Sequence, residues 1–106
     1  MTSKNTDKIQ LELLSEEAKR LHSRIVREWK IRDAAGLAIL LTAVQALDRM
    51  RSAQAIITRE GVIVLDRFRQ AKPHPACQIE KESRLGLLQA LKALGLDLES
   101  LSEEPE

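Results

Sequence analysis

The chain has 106 residues, of which 43% are hydrophobic, 31% charged and 2% aromatic, and its net charge is +1. This length and balance suit one globular domain whose core is built from Leu, Ile, Val and Ala, and because no run of β-branched residues exceeds three, we expect no all-β fold. The small net charge hides an asymmetry: residues 15–32 carry +3 and residues 85–106 carry −4, so only the first of these segments is suited to binding phosphate.

The N-terminal segment, residues 1–14, mixes polar and charged side chains and contains no strong helix-start signal, so we predict a mobile arm. The first helix is predicted to begin after Ser15, whose hydroxyl can accept a hydrogen bond from an unpaired amide of the first turn. Glu16 and Glu17 follow, and their carboxylates favour the positive end of the helix dipole. The helical domain is predicted to cover residues 15–95.

The first predicted helix has an apolar face and a basic face. An advance of about 100° per residue places Ala18, Leu21, Ile25 and Trp29 on the apolar face. The candidate DNA-binding residues on the opposite side are Lys19, Arg20, Arg24, Arg27 and Lys30. Two interpretations remain open: the basic side chains form a solvated face that keeps the protein soluble, or they contact phosphate directly.

A second, long helix is predicted to begin after Asp33 and to end at about Glu60, before Gly61, with a length of roughly 40 Å. Its apolar residues fall on two stripes. One stripe contains Leu37, Leu40, Val44 and Leu47. The other contains Ile39, Ala43, Ala46, Met50, Ala53 and Ile57.

The second stripe advances alternately by four and three residues, the heptad spacing that keeps one seam facing a neighbouring helix, and its alanines permit close approach. A helix that is apolar on more than one side must be covered on more than one side. We therefore assign the first stripe to the subunit core and the second to a contact between subunits of a homo-oligomer. The alternative is a central helix that is wholly covered within a monomer.

A short extended segment is predicted at about residues 62–70, and the sequence Lys-Pro-His-Pro at 72–75 forces extended backbone before a third helix. Pro75 suits the first turn of that helix, which is predicted to end at about Leu94, before Gly95. Its predicted inward residues are Ala76, Ile79, Ser83, Leu87, Ala90, Leu91 and Leu94, whereas Leu85 and Leu88 fall on its outer side. Residues 96–106 form an acidic tail. These elements predict an all-α fold, a long central helix in an antiparallel hairpin or three-helix unit.

The sequence contains no recognisable catalytic or metal-binding motif. His22 and His74 are far apart and Cys77 is the single cysteine, so neither a metal site nor a disulfide framework is predicted. We expect His74 in a loop or at a helix cap, and Cys77 as a packing residue. We therefore expect a protein that is not an enzyme and has no cofactor. The lack of a signal peptide or an apolar stretch of about 18 residues predicts a cytoplasmic protein without a membrane partner.

The order of these motifs resembles the short helical family of phage terminase small subunits, over about residues 15–99. The resemblance rests on Trp29, Asp33 ahead of a long apolar helix, Ala53, Gly61, the Lys72–Pro75 element and a helix that closes on Gly95-Leu96. It implies a ring or similar homo-oligomer of helical hairpins that binds duplex DNA at the start of packaging. It also implies recruitment of the terminase large subunit, which holds the ATPase and the nuclease.

Two features depart from the family pattern. Members commonly have a longer, basic lead before the tryptophan, and they often follow the Gly-Leu pair with a proline, serines and an arginine. These departures imply weak, salt-dependent DNA binding without strong sequence preference, as in a reduced member from a prophage or a gene transfer agent. The acidic tail is the candidate docking element for the large subunit, through Asp97, Leu98, Glu99 and Leu101.

Two other functions remain as alternatives. The first is a small DNA-binding regulator in which the second helix of a helix-turn-helix enters the major groove. Residues 34–47 of that helix contain no Arg or Lys, which argues against base readout. The second alternative is a helical scaffold that binds a protein partner only, through its acidic tail.

Overall fold

The computed structural model describes residues 3–96, and for residues 3–7 it describes the backbone alone. The elements in chain order are α1 (Ser3–Glu12), α2 (Glu16–Trp29), α3 (Ala34–Glu60), β1 (Ile63–Leu65), β2 (Ala71–Pro73) and α4 (Pro75–Ala93). The predicted fold, mainly helical around a long central helix, is confirmed. The predicted extended segment forms a small antiparallel sheet of β1 and β2.

Helix α1 lies within the segment that was predicted as a mobile arm. Leu14, which follows it, is part of the hydrophobic core, and Leu11 packs against that core. The side-chain amide of Gln45 on α3 donates to Gln10 Oε1 at 3.0 Å. The sequence did not predict this helix because its two apolar residues, Ile9 and Leu11, are not at helical spacing, and Ile9 is exposed.

The predicted helix starts at Ser15 and Asp33 are confirmed. Ser15 Oγ accepts from the Ala18 amide at 3.0 Å and donates to Asp48 Oδ1 at 2.5 Å, so a residue of α3 fixes the start of α2. Asp33 Oδ2 accepts from the Gly36 amide at 2.7 Å. These bonds satisfy amides that have no partner inside the helix.

Helices α2 and α4 both pack on α3. The core contains Leu14, Ala18, Ile25, Leu40, Ala43, Val44, Ala46, Leu47, Met50, Leu87, Leu91 and Leu96, with Leu21 and Trp29 packed against it. Helix α4 is antiparallel to α3, because Gln54 Nε2 donates to Glu80 Oε2 at 3.0 Å while Glu60 meets His74. The predicted apolar face of α2 thus points at α3.

The second stripe of α3 occupies a different place from the one the sequence predicted. Four of its residues are buried within the single chain, none of them more than 7% exposed: Ala43, Ala46, Met50 and Ala53. The first stripe is also largely buried, through Leu40, Val44 and Leu47. Helices α2 and α4 of the same chain cover α3 and explain this burial. At these four positions the structure therefore agrees with the alternative interpretation, in which the central helix is covered within the monomer. Ile39 and Ile57 stay partly exposed.

The inward face of α4 agrees with the prediction except at one residue. Ala76, Ser83, Leu87 and Leu91 are buried, whereas Ile79 is 49% exposed. Ile79 borders a shallow apolar groove that also contains Ala53 and Ile56 of α3. It therefore lies at the edge of the α3–α4 contact. Leu85 and Leu88 are exposed, as predicted for the outer side.

Position 36 requires glycine because residues of the α2–α3 connection lie close to its Cα and leave no room for a Cβ. A Cβ added there would lie 2.8 Å from Asp33 Oδ1 and 2.9 Å from Ile31 Cγ2. We therefore expect Gly36→Ala to lower the free energy of unfolding by about 1–3 kcal/mol, despite the helix propensity of alanine, because the cap must move.

The matched control for this substitution is Gly86→Ala in α4, where an added Cβ meets no heavy atom within 4 Å. It is expected to raise the free energy of unfolding by about 0.5–1 kcal/mol. Urea denaturation of the two variants measures both effects. Equal stabilisation by the two alanines would contradict the close contact at Gly36.

Candidate nucleic-acid interface

The five predicted DNA-binding residues all lie on α2 or at its C-terminal cap, outside the core. Arg20, Arg24 and Arg27 follow one another at helical spacings of four and three, so they form one stripe, with Lys19 and Lys30 beside it. Lys30 ends the helix in the left-handed conformation, with a φ of 53°. The structure therefore brings the five residues together on one outer side of the protein.

Arg51 of α3 joins this basic side and was missed by the sequence analysis. A groove of about 380 Å³ between α2 and α3 is lined by Glu17, Arg20, Leu21, Arg24, Leu47 and Arg51. The Arg51 guanidinium donates to both carboxylate oxygens of Glu17 at 3.0–3.2 Å, and this hydrogen bond raises the pKa of Arg51. The short connection between the two helices favours antiparallel packing of α2 and α3, and that packing places Arg51 beside the start of α2.

The basic side chains differ in how far carboxylates neutralise them. Glu17 neutralises Arg51, and Arg24 Nε donates to Glu28 Oε2 at 2.5 Å. Of the basic residues on this side of the protein, four have no ion-pair partner within residues 3–96: Lys19, Arg20, Arg27 and Lys30. These four, named the basic face from here on, are the charges that can meet phosphate without first breaking an ion pair.

His22 lies on the other side of α2, next to the packing of α1. It borders a small cavity of about 110 Å³ that is otherwise lined by Leu11, Leu37, Ala38 and Leu41. Burial lowers the pKa of His22 below its ordinary value, because the charged ring loses hydration there. The ring is therefore neutral at pH 7 and adds no charge to the basic face.

The hairpin formed by β1, its turn and β2 exposes large apolar side chains. Val62, Ile63, Leu65 and Phe68 are 54–69% exposed. Asp66 shapes the turn, since its Oδ1 accepts from the amides of Phe68 and Gln70 at 2.8 and 2.9 Å. The sequence predicted the extended segment but gave it no role. The sequence feature that could have indicated this apolar surface is the presence of four large apolar residues within seven positions.

The base of the hairpin is held between α3 and α4 by His74, which caps α4 as expected. His74 Nδ1 accepts from the Ala76 amide at 2.9 Å, so Nε2 carries the proton and donates to Glu60 Oε1 at 2.8 Å. The hydrogen bond from His74, together with one from Arg59, lowers the pKa of Glu60. The His74 amide also donates to the Val62 carbonyl at 2.8 Å, which fixes the first residue of the hairpin.

The remaining candidate residues form no reactive centre in the part of the chain that the structure describes. No three His, Cys, Asp or Glu side chains there lie close enough together to hold a metal ion. Cys77 is a partly buried free thiol, with its Sγ 3.8 Å from the Val62 carbonyl oxygen. No described helix combines the length and apolar character needed to cross a membrane. The predicted docking residues Asp97, Leu98, Glu99 and Leu101 lie outside the described residues.

The described residues thus form a mainly helical protein with a basic outer side on α2 and an exposed apolar hairpin. A family model for "Phage terminase, small subunit" matches residues 12–103. The match spans most of the chain, so the chain belongs to the phage terminase small-subunit family, and the resemblance seen in the sequence is confirmed. No curated protein and no solved structure matches it. Membership gives the chain a role in phage DNA packaging, within a family that is generally non-catalytic.

Proposed function

We propose that this chain is a non-catalytic terminase small subunit that oligomerises, binds duplex DNA at the start of packaging and brings it to the large subunit. The proposed DNA binding rests on the basic face of α2. Its four cationic side chains lie on one outer side and have no ion-pair partners within residues 3–96. Phosphate contacts position DNA without reading its sequence. Binding is therefore weakly selective, which suits a domesticated packaging system such as a gene transfer agent that loads host DNA.

The affinity of such a surface comes from the release of counterions from DNA. Each phosphate neutralised contributes a slope of about −0.9 to the dependence of log affinity on log salt, so four contacts give about −3.6 for one subunit. When several subunits bind one DNA molecule, the overall affinity rises although each subunit makes only the same weak contacts. Strong salt dependence is therefore the signature of this mode of binding.

The experiment is a fluorescence-anisotropy titration of two unrelated duplexes with the assembled protein. Between about 50 and 200 mM salt, the four contacts of one subunit lower the affinity by about a hundredfold, so we expect at least this fall for the assembled protein, equally for both duplexes. Absence of binding at low salt would remove the DNA part of the proposal and leave an adaptor that binds protein only. A strong preference for one duplex would contradict recognition through phosphate alone.

The contact between subunits is proposed to involve the exposed hairpin, because four residues of the predicted stripe are buried within one chain. An isolated two-stranded hairpin is only marginally stable in water, and both of its strands are edges that a second chain can pair with. The occupant we propose is a second copy of this chain. Ile57, three residues before the end of α3, lies on the hairpin side and can join the contact, whereas Ile39 would contribute at the opposite end.

The large subunit is proposed to bind the acidic tail through Asp97, Leu98, Glu99 and Leu101. Leu96 belongs to the core, so the informative truncation begins after it and removes residues 97–106 only. Loss of association with the large subunit, with retained helix content, is the expected result of a pull-down. Unchanged association would place the docking element elsewhere.

The regulator alternative is disfavoured by the burial of α3. A recognition helix must present its side chains to the major groove. In the first half of α3, Leu40, Ala43, Val44, Ala46 and Leu47 are buried under α2 and α4. The side chains that this half of the helix leaves exposed are Ala34, Ala35, Ala38 and Thr42, and of these only Thr42 carries a hydrogen-bonding group.

A further inference from the structure

We infer that the exposed hairpin of one subunit docks into the apolar groove between α3 and α4 of a second copy of this chain. The inference rests on the proposed contact between subunits and names the surface that receives the hairpin. The groove has a volume of about 280 Å³ and is lined by Asp48, Arg49, Ser52, Ala53, Ile56 and Ile79. Because hairpin and groove are two different surfaces of one chain, the contact joins subunits head to tail, the arrangement that closes into rings.

One face of the hairpin is wholly apolar. In the register of β1 and β2, Ile63 lies opposite Pro73 and Leu65 lies opposite Ala71. Residues directly opposite each other point to the same side of a sheet, and successive residues of a strand alternate between the two sides. These four residues therefore share one side, and all four are exposed. A docking surface with this composition requires an apolar partner surface.

The groove between α3 and α4 offers an apolar surface of this kind. Ala53 is 2% exposed and forms its floor, and its small side chain keeps the groove open. Ile56 is partly exposed and Ile79 is 49% exposed, so the described part of the chain leaves both isoleucines incompletely covered. Burial of these side chains and of the hairpin's apolar face against each other would remove both surfaces from water.

The two surfaces also have similar lengths. Asp48 and Ile56, which both line the groove, are eight residues apart on α3, so the groove extends along the helix for about 12 Å. Strand β1 has three residues, and at about 3.3 Å per residue the apolar face is about 10 Å long. The hairpin can therefore lie along the groove over its full length.

The charges beside the two surfaces are complementary. Arg67 and Arg69 are exposed in the turn of the hairpin, and neither has a carboxylate partner within residues 3–96. Glu82 is exposed one helical turn from Ile79 on the same side of α4, and within the same residues it has no cationic partner. The two charged residues that line the groove, one acidic and one basic, offset each other. The groove thus has a net acidic edge for a basic turn.

A second copy of the chain is the occupant that satisfies both surfaces. Ile63 and Leu65 are 54% and 65% exposed, so the hairpin does not fold onto the groove of its own chain. Every copy supplies one hairpin and one groove. When subunits close into a ring, each hairpin finds a groove and neither surface remains exposed.

The test mixes two variants that each lack one of the two surfaces. Leu65→Glu/Phe68→Glu charges the hairpin and leaves the groove intact, whereas Ser52→Arg/Ile79→Arg fills the groove and leaves the hairpin intact. Sedimentation velocity measures each variant alone and an equimolar mixture. Each variant alone is expected to stay at 11.9 kDa. The mixture is expected to form a complex of twice this mass, because the intact hairpin of one variant meets the intact groove of the other.

The matched control for the groove variant is Thr42→Arg/Leu88→Arg, which adds two arginines at exposed positions of α3 and α4 outside the groove. It is expected to assemble like the wild-type chain. Far-UV circular dichroism checks that each variant keeps its helices, and Ile79→Arg alone replaces the groove variant if the double substitution lowers the helix content. Dissociation of the control would assign the effect to added charge and overturn the inference.

The outcomes separate this inference from the proposed function. If the wild-type chain assembles while the mixture stays at 11.9 kDa, or if the groove variant assembles like the wild-type chain, the groove does not receive the hairpin and the inference is overturned, although the proposed oligomer stands. A wild-type chain that is monomeric removes the proposed oligomer and the inference together. An assembled chain that binds no DNA leaves the inference intact and removes the proposed DNA binding.

Discussion

Replacing Arg20, Arg27 and Lys30 by alanine is expected to lower the affinity for duplex DNA by about a hundredfold at low salt. These side chains are exposed on α2 and have no ion-pair partner within residues 3–96, so their charge is available to phosphate. The slope of log affinity against log salt should become less negative by about 3, because each lost phosphate contact removes about 0.9. Anisotropy titrations at several salt concentrations measure both quantities.

The control for this prediction removes three positive charges from the outer side of α4, as Lys81→Ala/Arg84→Ala/Lys92→Ala. All three residues are exposed, and Arg84 only pairs with Glu80 within its own helix. A small change in affinity is expected for this variant. A loss as large as that of the α2 variant would mean that DNA responds to net charge, and the assignment of the interface to α2 would be contradicted.

Placing two glutamates on the hairpin, as Leu65→Glu/Phe68→Glu, is expected to dissociate the oligomer into 11.9-kDa monomers that keep their helices. The two side chains are exposed and lie outside the core, so the substitutions cost the single subunit little stability. In a covered contact between subunits the same charges would be strongly unfavourable. Sedimentation velocity reports the assembly, and far-UV circular dichroism reports the helix content.

Two other substitutions calibrate this result. Leu88→Glu changes an exposed apolar residue on α4 and is expected to leave the assembly intact. Ala46→Glu places a charge in the core of the single subunit and is expected to unfold the chain, at a cost of about 3–5 kcal/mol. A hairpin variant that assembles like the wild-type chain would rule out the hairpin as the subunit contact.

The parts of the fold that local interactions determine could be predicted from the sequence. Ser15, Asp33 and Pro75 mark helix starts through their own side chains or ring, so the starts of α2, α3 and α4 were predicted within a residue or two. The five basic residues of α2 could also be placed on one side, because they belong to one helix of regular period. Nothing beyond the helix itself was needed for these inferences.

The parts that depend on which elements meet could not be predicted in the same way. Periodicity shows that α3 is apolar on two sides, but it does not show whether a second subunit or α4 covers the second side. Ala43 and Ala46 suit coverage by a second subunit as well as coverage by α4. Their burial in the structure shows that they are covered within the single chain. Arg51 was missed for the same reason, since its place beside Glu17 depends on the packing of α3 against α2.

The oligomeric state of the wild-type chain tests the central claim most directly, because a packaging adaptor of this kind brings several basic faces to one DNA. The measurement is light scattering coupled to size-exclusion chromatography over a range of protein concentrations. A single species with a mass several times 11.9 kDa is the result we predict. A mass of 11.9 kDa at every concentration would contradict the assembly of subunits through the hairpin and, with it, the account of an oligomeric packaging adaptor.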